Sequence, residues 1–259
     1  MDENFLFSFF ITLITGLATG IGGLAAFFVK KYDIKILSFI LGFSSGVMLY
    51  VSLTALLPES FLLFSKSFGK FSSFILTLVF FIIGMGCVFL TEKFLPEELV
   101  DNSLKKTLKK DHQIILKTSF LMAVILAIHN LPEGLSTFMA ILLGGDISYP
   151  VAISMAMHNI PEGVAFCLPV LFLTKNPKKA FLYTLLTGFI EPIGALLGYL
   201  VFLPLIQSGL VGSVFAFVSG MMMLVSIIAL YPAFRKRIGS VYCLVGFFVA
   251  CILSALMFM

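Results

Sequence analysis

Tryptophan is absent from this 259-residue chain, and Asp, Glu, Lys and Arg together supply only 12% of it against 60% hydrophobic residues. Soluble domains run at about 25% charged and roughly 45 to 50% apolar. A water-soluble fold could not hide that much apolar surface, so lipid is the expected solvent. The net charge is +4, but the basic residues stand in short clusters between apolar runs and form no basic face, which argues against nucleic acid as a partner. Cys87, Cys167, Cys243 and Cys251 all lie inside apolar stretches without CxxC spacing. They read as buried small hydrophobes, not as disulfides or metal ligands. The opening "MDENFLFSFF" has no basic n-region, so the first apolar run is expected to stay in the mature protein. There is no GxxxxGK[ST] loop to hold ATP.

What the chain does have is eight apolar runs of bilayer-spanning length, about 20 residues each: 5–28, 36–57, 71–91, 118–143, 149–173, 180–206, 209–231 and 238–258. They are continuous and do not alternate, which favours membrane helices over barrel strands. One membrane domain, 1–259, accounts for the chain. Of the seventeen Lys and Arg residues, fifteen fall after the first, third, fifth and seventh runs: Lys30, Lys31, Lys35; Lys93, Lys105, Lys106, Lys109, Lys110, Lys117; Lys175, Lys178, Lys179; Arg235, Lys236, Arg237. Only Lys66 and Lys70 remain for the opposite side, so the positive-inside rule puts both termini outside the cytoplasm. The one substantial polar stretch, about 92–117, reads as a cytoplasmic loop with a short amphipathic helix, and His112 as a solvated residue within it.

No Lys or Arg stands near the centre of a run, yet His129, Glu133, His158, Glu162 and Glu191 do. An ionisable group at mid-bilayer costs roughly 2.5 to 3.5 kcal/mol on insertion scales, so five need a common purpose. Four of them belong to a motif written twice, "HNLPEG" at 129–134 and "HNIPEG" at 158–163. His and Glu four apart share one helix face, and two antiparallel helices could turn those faces toward each other. Pro132 and Pro161 lack an N–H and should free the carbonyls of Ile128 and Met157 while kinking the helices. Gly134 and Gly163 admit a close neighbour, and "FIEPIGALLG" at 189–198 repeats the device around Glu191. Asn130 and Asn159 could be ligands, orienters of the carboxylates or interhelical contacts. Imidazole with carboxylate suits Zn2+, Fe2+ or Mn2+ better than Ca2+, Mg2+ or Cu(I).

These residues resemble the ZIP (Zrt/Irt-like) divalent metal transporters, in particular their bacterial ZupT and GufA-like branch. The paired motif, the eight runs, the outward termini and the long loop between runs three and four carry the likeness over essentially the whole chain. The resemblance implies an all-α integral membrane fold with an inverted 3+2+3 repeat, which is not visible as sequence identity. It implies that His129, Glu133, His158 and Glu162 bind the transported metal, and that Asn130, Asn159 and Glu191 form an adjacent second site bridged by Glu133 and Glu162. "GFSSGVML" resembles the segment that lends a Met, here Met48, with ordinary lipid-facing or core packing as the lesser reading. It further implies uptake into the cytoplasm by an elevator-like shift, a homodimer in a bacterial inner membrane, and no prosthetic group, the divalent ion being cargo. Metal would displace protons from the imidazoles, so uptake should weaken at acid pH. Many relatives carry a His-rich loop between runs three and four; here His112 stands alone, which disfavours metal sensing there.

Two other classes compete. An intramembrane metalloenzyme needs HExxH, with Glu beside the first His as base, and Asn130 and Asn159 occupy that place. A proton-coupled solute carrier could use His and Glu as relays, but the core offers it no Arg, Lys or Trp for a substrate.

Overall fold

A computed structural model of the protein describes residues 3–30, 33–94, 112–202, 208–234 and 237–259. Every regular element among them is helical: α1 (Glu3–Gly23), α2 (Ala25–Phe28), α3 (Ile34–Val51), a π-helical turn (Ser52–Leu56), α4 (Leu57–Ser65), α5 (Lys70–Phe94), α6 (His112–Leu143), α7 (Ser148–Thr174), α8 (Pro177–Gly188), α9 (Ile190–Phe202), α10 (Ser208–Phe234) and α11 (Arg237–Met257). Seven helical stretches among the described residues are long and apolar enough to cross a membrane. The fourth apolar run lies in α6, which is 32 residues long.

Two expectations change. Residues 112–117 are helix, not loop, so His112 opens α6; Lys117 ends the apolar run but is a good helix former and does not end the helix. The short amphipathic helix expected in the loop lies outside the described residues. The sixth run is not one helix: it breaks at Phe189 between α8 and α9. Pro192 lacks an N–H and its ring opposes the carbonyl of Gly188, so the helical ladder stops there. By contrast α6 and α7 run on as helix through Pro132 and Pro161.

The helices sort into two groups by their packing. In the first, α1 lies on α6, α7, α8 and α9, and α6 lies on α7 and α9; in the second, α3 lies on α10 and α11, and α10 on α4 and α5. The main contacts between the groups are α3 against α7 and, less extensively, α10 against α6. Serines seal the second group: Ser52 Oγ donates to the Ser219 carbonyl at 2.8 Å and Ser219 Oγ to the Ser52 carbonyl at 2.9 Å.

Glycines set the closest helix crossings, because only a residue without Cβ lets one backbone reach another. A side chain at Gly163 would strike the Thr19 carbonyl, and one at Gly22 the Ile160 carbonyl. At the α6–α9 crossing, Gly134 meets the Glu191 carbonyl and Gly194 the Leu131 carbonyl in the same way, while Gly16 and Gly188 oppose each other. The second group has its own matched set: Gly42 on the Cys243 carbonyl and Gly246 on that of Phe39, then Gly220 on Phe81 and Gly84 on Phe217.

These contacts align a segment of the first run with one of the sixth, the two that the inverted repeat would pair. "TLITGLATGIGG" at 12–23 matches "TLLTGFIEPIGA" at 184–195 with a constant offset of 172. Six of the twelve residues are identical, and the glycines at the crossings coincide. Sequence identity between the first and sixth runs is therefore visible, contrary to expectation.

Candidate metal centre

The connection after α6 puts the two motifs face to face. Gly144 and Gly145 adopt φ of 70° and 95°, a left-handed pair that side chains disfavour, and Ser148 Oγ donates to the Ala140 carbonyl at 2.8 Å to close the turn. Glu133 lies ten residues before the end of α6 and His158 ten after the start of α7. In an antiparallel hairpin they are level.

The side chains meet accordingly. His158 Nε2 lies 3.2 Å from Glu133 Oε2 in hydrogen-bond geometry. His129 Nε2 lies 3.1 Å from Glu133 Oε1 but off the line of a hydrogen bond. One donor atom each from Glu133, His158 and Glu162 falls within 4.8 Å of the others. Glu133 and His158 are 2% and 0% exposed, whereas Glu162 is half-buried.

A second arm adjoins them. Glu191, in the first turn of α9, is fully buried. Asn159 Nδ2 donates to Glu191 Oε1 at 2.5 Å and to the Thr15 carbonyl at 2.8 Å. The Thr15 hydroxyl shares its proton between Glu191 Oε2 at 3.0 Å and the Thr12 carbonyl at 2.8 Å. Asn130 Nδ2 donates to the Thr187 carbonyl at 3.3 Å. Both amides are thus tied through their NH2 groups to backbone of a neighbouring helix, which fixes their orientation.

What is left over are mostly acceptors, with one N–H of the neutral His129 ring among them. His129 Nδ1 and Nε2, His158 Nδ1, Asn130 Oδ1, Asn159 Oδ1, Glu133 Oε1 and Glu162 Oε2 are buried without a hydrogen-bond partner. A buried polar atom costs about 1–3 kcal/mol when unpaired, and so many lone pairs in one place fit a cation. The donor set is imidazole, carboxylate and amide oxygen, which suits borderline first-row ions. Met48 is buried in the main hydrophobic core, its sulfur accepting from Ser44 Oγ at 3.9 Å, on α3, the helix that packs on α7. The four cysteines are free, with Cys167 and Cys243 buried and Cys87 and Cys251 half-buried.

Thr15 was not foreseen. A stripe of Ser8, Thr12, Thr15 and Thr19 at helical spacing in an otherwise apolar run was the available signal, and all four are buried.

Membrane-length helices around a buried His, Glu and Asn cluster define a membrane protein with a candidate cation site in its core. The chain belongs to the ZIP family, in its ZupT branch: the family model described as "ZIP Zinc transporter" matches residues 97–257. It is 39% identical over 245 residues to the zinc transporter ZupT of Lysinibacillus sphaericus, covering 91% of this chain and 90% of that protein. It is 40% identical to those of Oceanobacillus iheyensis, over 90% of both chains, and Chlorobaculum parvum, over 90% of this chain and 89% of that one.

Proposed function

We propose that the protein carries divalent first-row metal ions, Zn2+ foremost with Fe2+, Mn2+ and Cd2+ as further substrates, across a bacterial inner membrane into the cytoplasm. The observation that carries this reading is the set of unpartnered donors on Glu133, His158, Glu162, His129, Asn130 and Asn159 at the level where the two motifs meet. His129, Glu133, His158 and Glu162 hold the cargo. Asn130, Asn159 and Glu191 form an adjacent oxygen-rich site, and Glu133 and Glu162 bridge the two. Met48 contributes its thioether from α3. The named relatives are zinc transporters, which supports the choice of ion.

The chain crosses the bilayer eight times as one domain, with both termini outside, and two such chains pair as a dimer. The first three and last three passes are an inverted repeat about α6 and α7. The matched segments at 12–23 and 184–195 and the paired glycine crossings support this. The close glycine crossings lie within each helix group and bind it tightly, while the contact between groups is carried mainly by α3 on α7. That division supports an elevator-like movement in which α1, α6, α7, α8 and α9 shift as a body against the rest. Asn in place of the HExxH glutamate argues against hydrolytic chemistry at the site.

Zn2+ influx into liposomes holding the purified protein tests the reading against a folded double variant, His158→Ala with Glu162→Ala. Saturable influx in the native protein that vanishes in the variant supports it. Absence of influx for every divalent ion in folded native protein overturns it.

A further inference from the structure

The two arms beside the His–Glu cluster are built alike, with one difference. The offset of 172 pairs Thr15 with Thr187, Gly16 with Gly188, Gly22 with Gly194 and Thr19 with Glu191. On one arm, Asn159 donates to the Thr15 carbonyl, and Gly163 packs on the Thr19 carbonyl. On the other, Asn130 donates to the Thr187 carbonyl, and Gly134 packs on the Glu191 carbonyl. Each motif thus meets the same two backbone positions of its partner segment. Glu191 stands next to Asn159, and Thr19 is its counterpart for Asn130. A side chain at Gly188, the residue after the carbonyl that holds Asn130, would contact the Thr19 Cβ at 3.1 Å, so Thr19 and Asn130 share that corner of the fold.

Thr19 Oγ1 and Asn130 Oδ1 are both buried and both lack a hydrogen-bond partner, and both residues are 0% exposed. The neighbouring Thr12 and Thr15 hydroxyls return their protons to carbonyls of their own helix, as mid-helix Thr usually does. Thr19 does not. Two unsatisfied buried oxygens thus flank the same Thr187–Gly188 stretch, one of them on the residue whose sequence counterpart in the other arm is the carboxylate Glu191.

We propose that Thr19 Oγ1 and Asn130 Oδ1 form a second, uncharged pair of oxygen donors for a divalent cation, the counterpart of the Asn159–Glu191 arm. This rests on the reading of the cluster as a transport site and of the matched segments as a repeat. An all-oxygen, neutral pair favours the harder ions, Mn2+ above Zn2+. Without a carboxylate it holds the ion loosely and lets it leave. Thr19 is thus a residue that sets which metals are carried and how firmly.

Influx of Mn2+ and of Zn2+, each into proteoliposomes, tests it with Thr19→Val and Thr19→Ser. The expected result is that Val raises the KM for Mn2+ about five-fold, the loss of one hydrogen-bond-strength contact, with a smaller effect on Zn2+, and that Ser restores both. A Val variant with native KM for both ions, or a Ser variant as impaired as Val, overturns the proposal, the second by showing that only the methyl matters. Should the Val variant not fold, equilibrium dialysis of Mn2+ against detergent-purified Thr19→Asp decides: tighter binding than the native chain supports the pair, and unchanged binding overturns it. A native protein that moves neither ion would refute the transport reading, and the dialysis arm would still test whether Thr19 faces a cation.

Discussion

The helix that carries the second motif and the helix farthest from it in character are α7 and α5. The α7 span, Ser148–Phe172, has a mean hydropathy of 1.3 and is 61% buried inside the protein, whereas the α5 span, Lys70–Thr91, reaches 2.6 and is only 17% buried. In water the more apolar helix would be the buried one. Here the order is reversed because lipid solvates Phe and Ile as well as protein does, while an imidazole or carboxylate finds partners only inside the bundle. The contrast extends to the helix groups. Every buried His, Asn and Glu belongs to α6, α7 or α9, while the buried polar residues of α3, α4, α5, α10 and α11 are all Ser or Thr among the described residues. The ionisable and amide side chains are gathered in one group, and the other buries only small hydroxyls among its apolar residues.

Breaking the charged side of that contrast should have the largest effect. Glu133→Gln removes the carboxylate shared by His129 and His158. Zn2+ influx should fall by about a hundredfold or more, as expected when a ligand and its orienting contacts go together. Native influx in this variant would remove Glu133 from the pathway.

Next is the close crossing that holds the first group together. Gly163→Val drives a branched side chain into the Thr19 carbonyl, and overpacking of this kind costs about 1–3 kcal/mol or more. A lowered melting temperature in detergent is the expected readout, and unchanged melting would mean that α1 and α7 can separate freely.

A smaller effect is expected on the second arm. Glu191→Gln keeps the shape and the Asn159 and Thr15 contacts available but removes a charge. Metal affinity should drop by about ten-fold, roughly 1.4 kcal/mol, as measured by competition in the influx assay. A loss as complete as that of Glu133→Gln would erase the distinction between the cluster and the arm.

The smallest effect belongs to the lipid-facing side. Phe248 on α11 is 60% exposed, and Phe248→Ala should change stability by no more than about 0.5 kcal/mol and leave influx within error. A marked loss would place a protein partner, such as a second copy of the chain, on that face.

The sequence made the site readable because buried ionisable groups in an apolar run are costly and so stand out. His129, Glu133, His158, Glu162 and Glu191 were all visible that way, and the level pairing of Glu133 with His158 follows from their equal distances to the facing ends of α6 and α7. Thr15 and Thr19 were harder to see. A threonine in a membrane helix can satisfy itself on its own backbone, so its presence carries no penalty that singles it out. The repeat between 12–23 and 184–195 was overlooked because half of the positions differ, and because the glycines that match matter only when the opposing carbonyl is known. The break at Phe189 and the π-helical turn at Ser52–Leu56 were not legible from propensity alone, since α6 and α7 run on through Pro132 and Pro161 while the helix stops before Pro192.

The sequence by itself determined the solvent, the helical class and the donor set of the candidate site, since composition and the twice-written His-Asn-x-Pro-Glu-Gly motif are local properties of the chain. Only the tertiary structure decided which helices pack on one another, that Asn130 and Asn159 tie their NH2 groups to the Thr187 and Thr15 carbonyls, and that Asn159 meets Glu191. Those depend on backbones approaching at glycines far apart in the chain, and no local pattern encodes which carbonyl a missing side chain will admit.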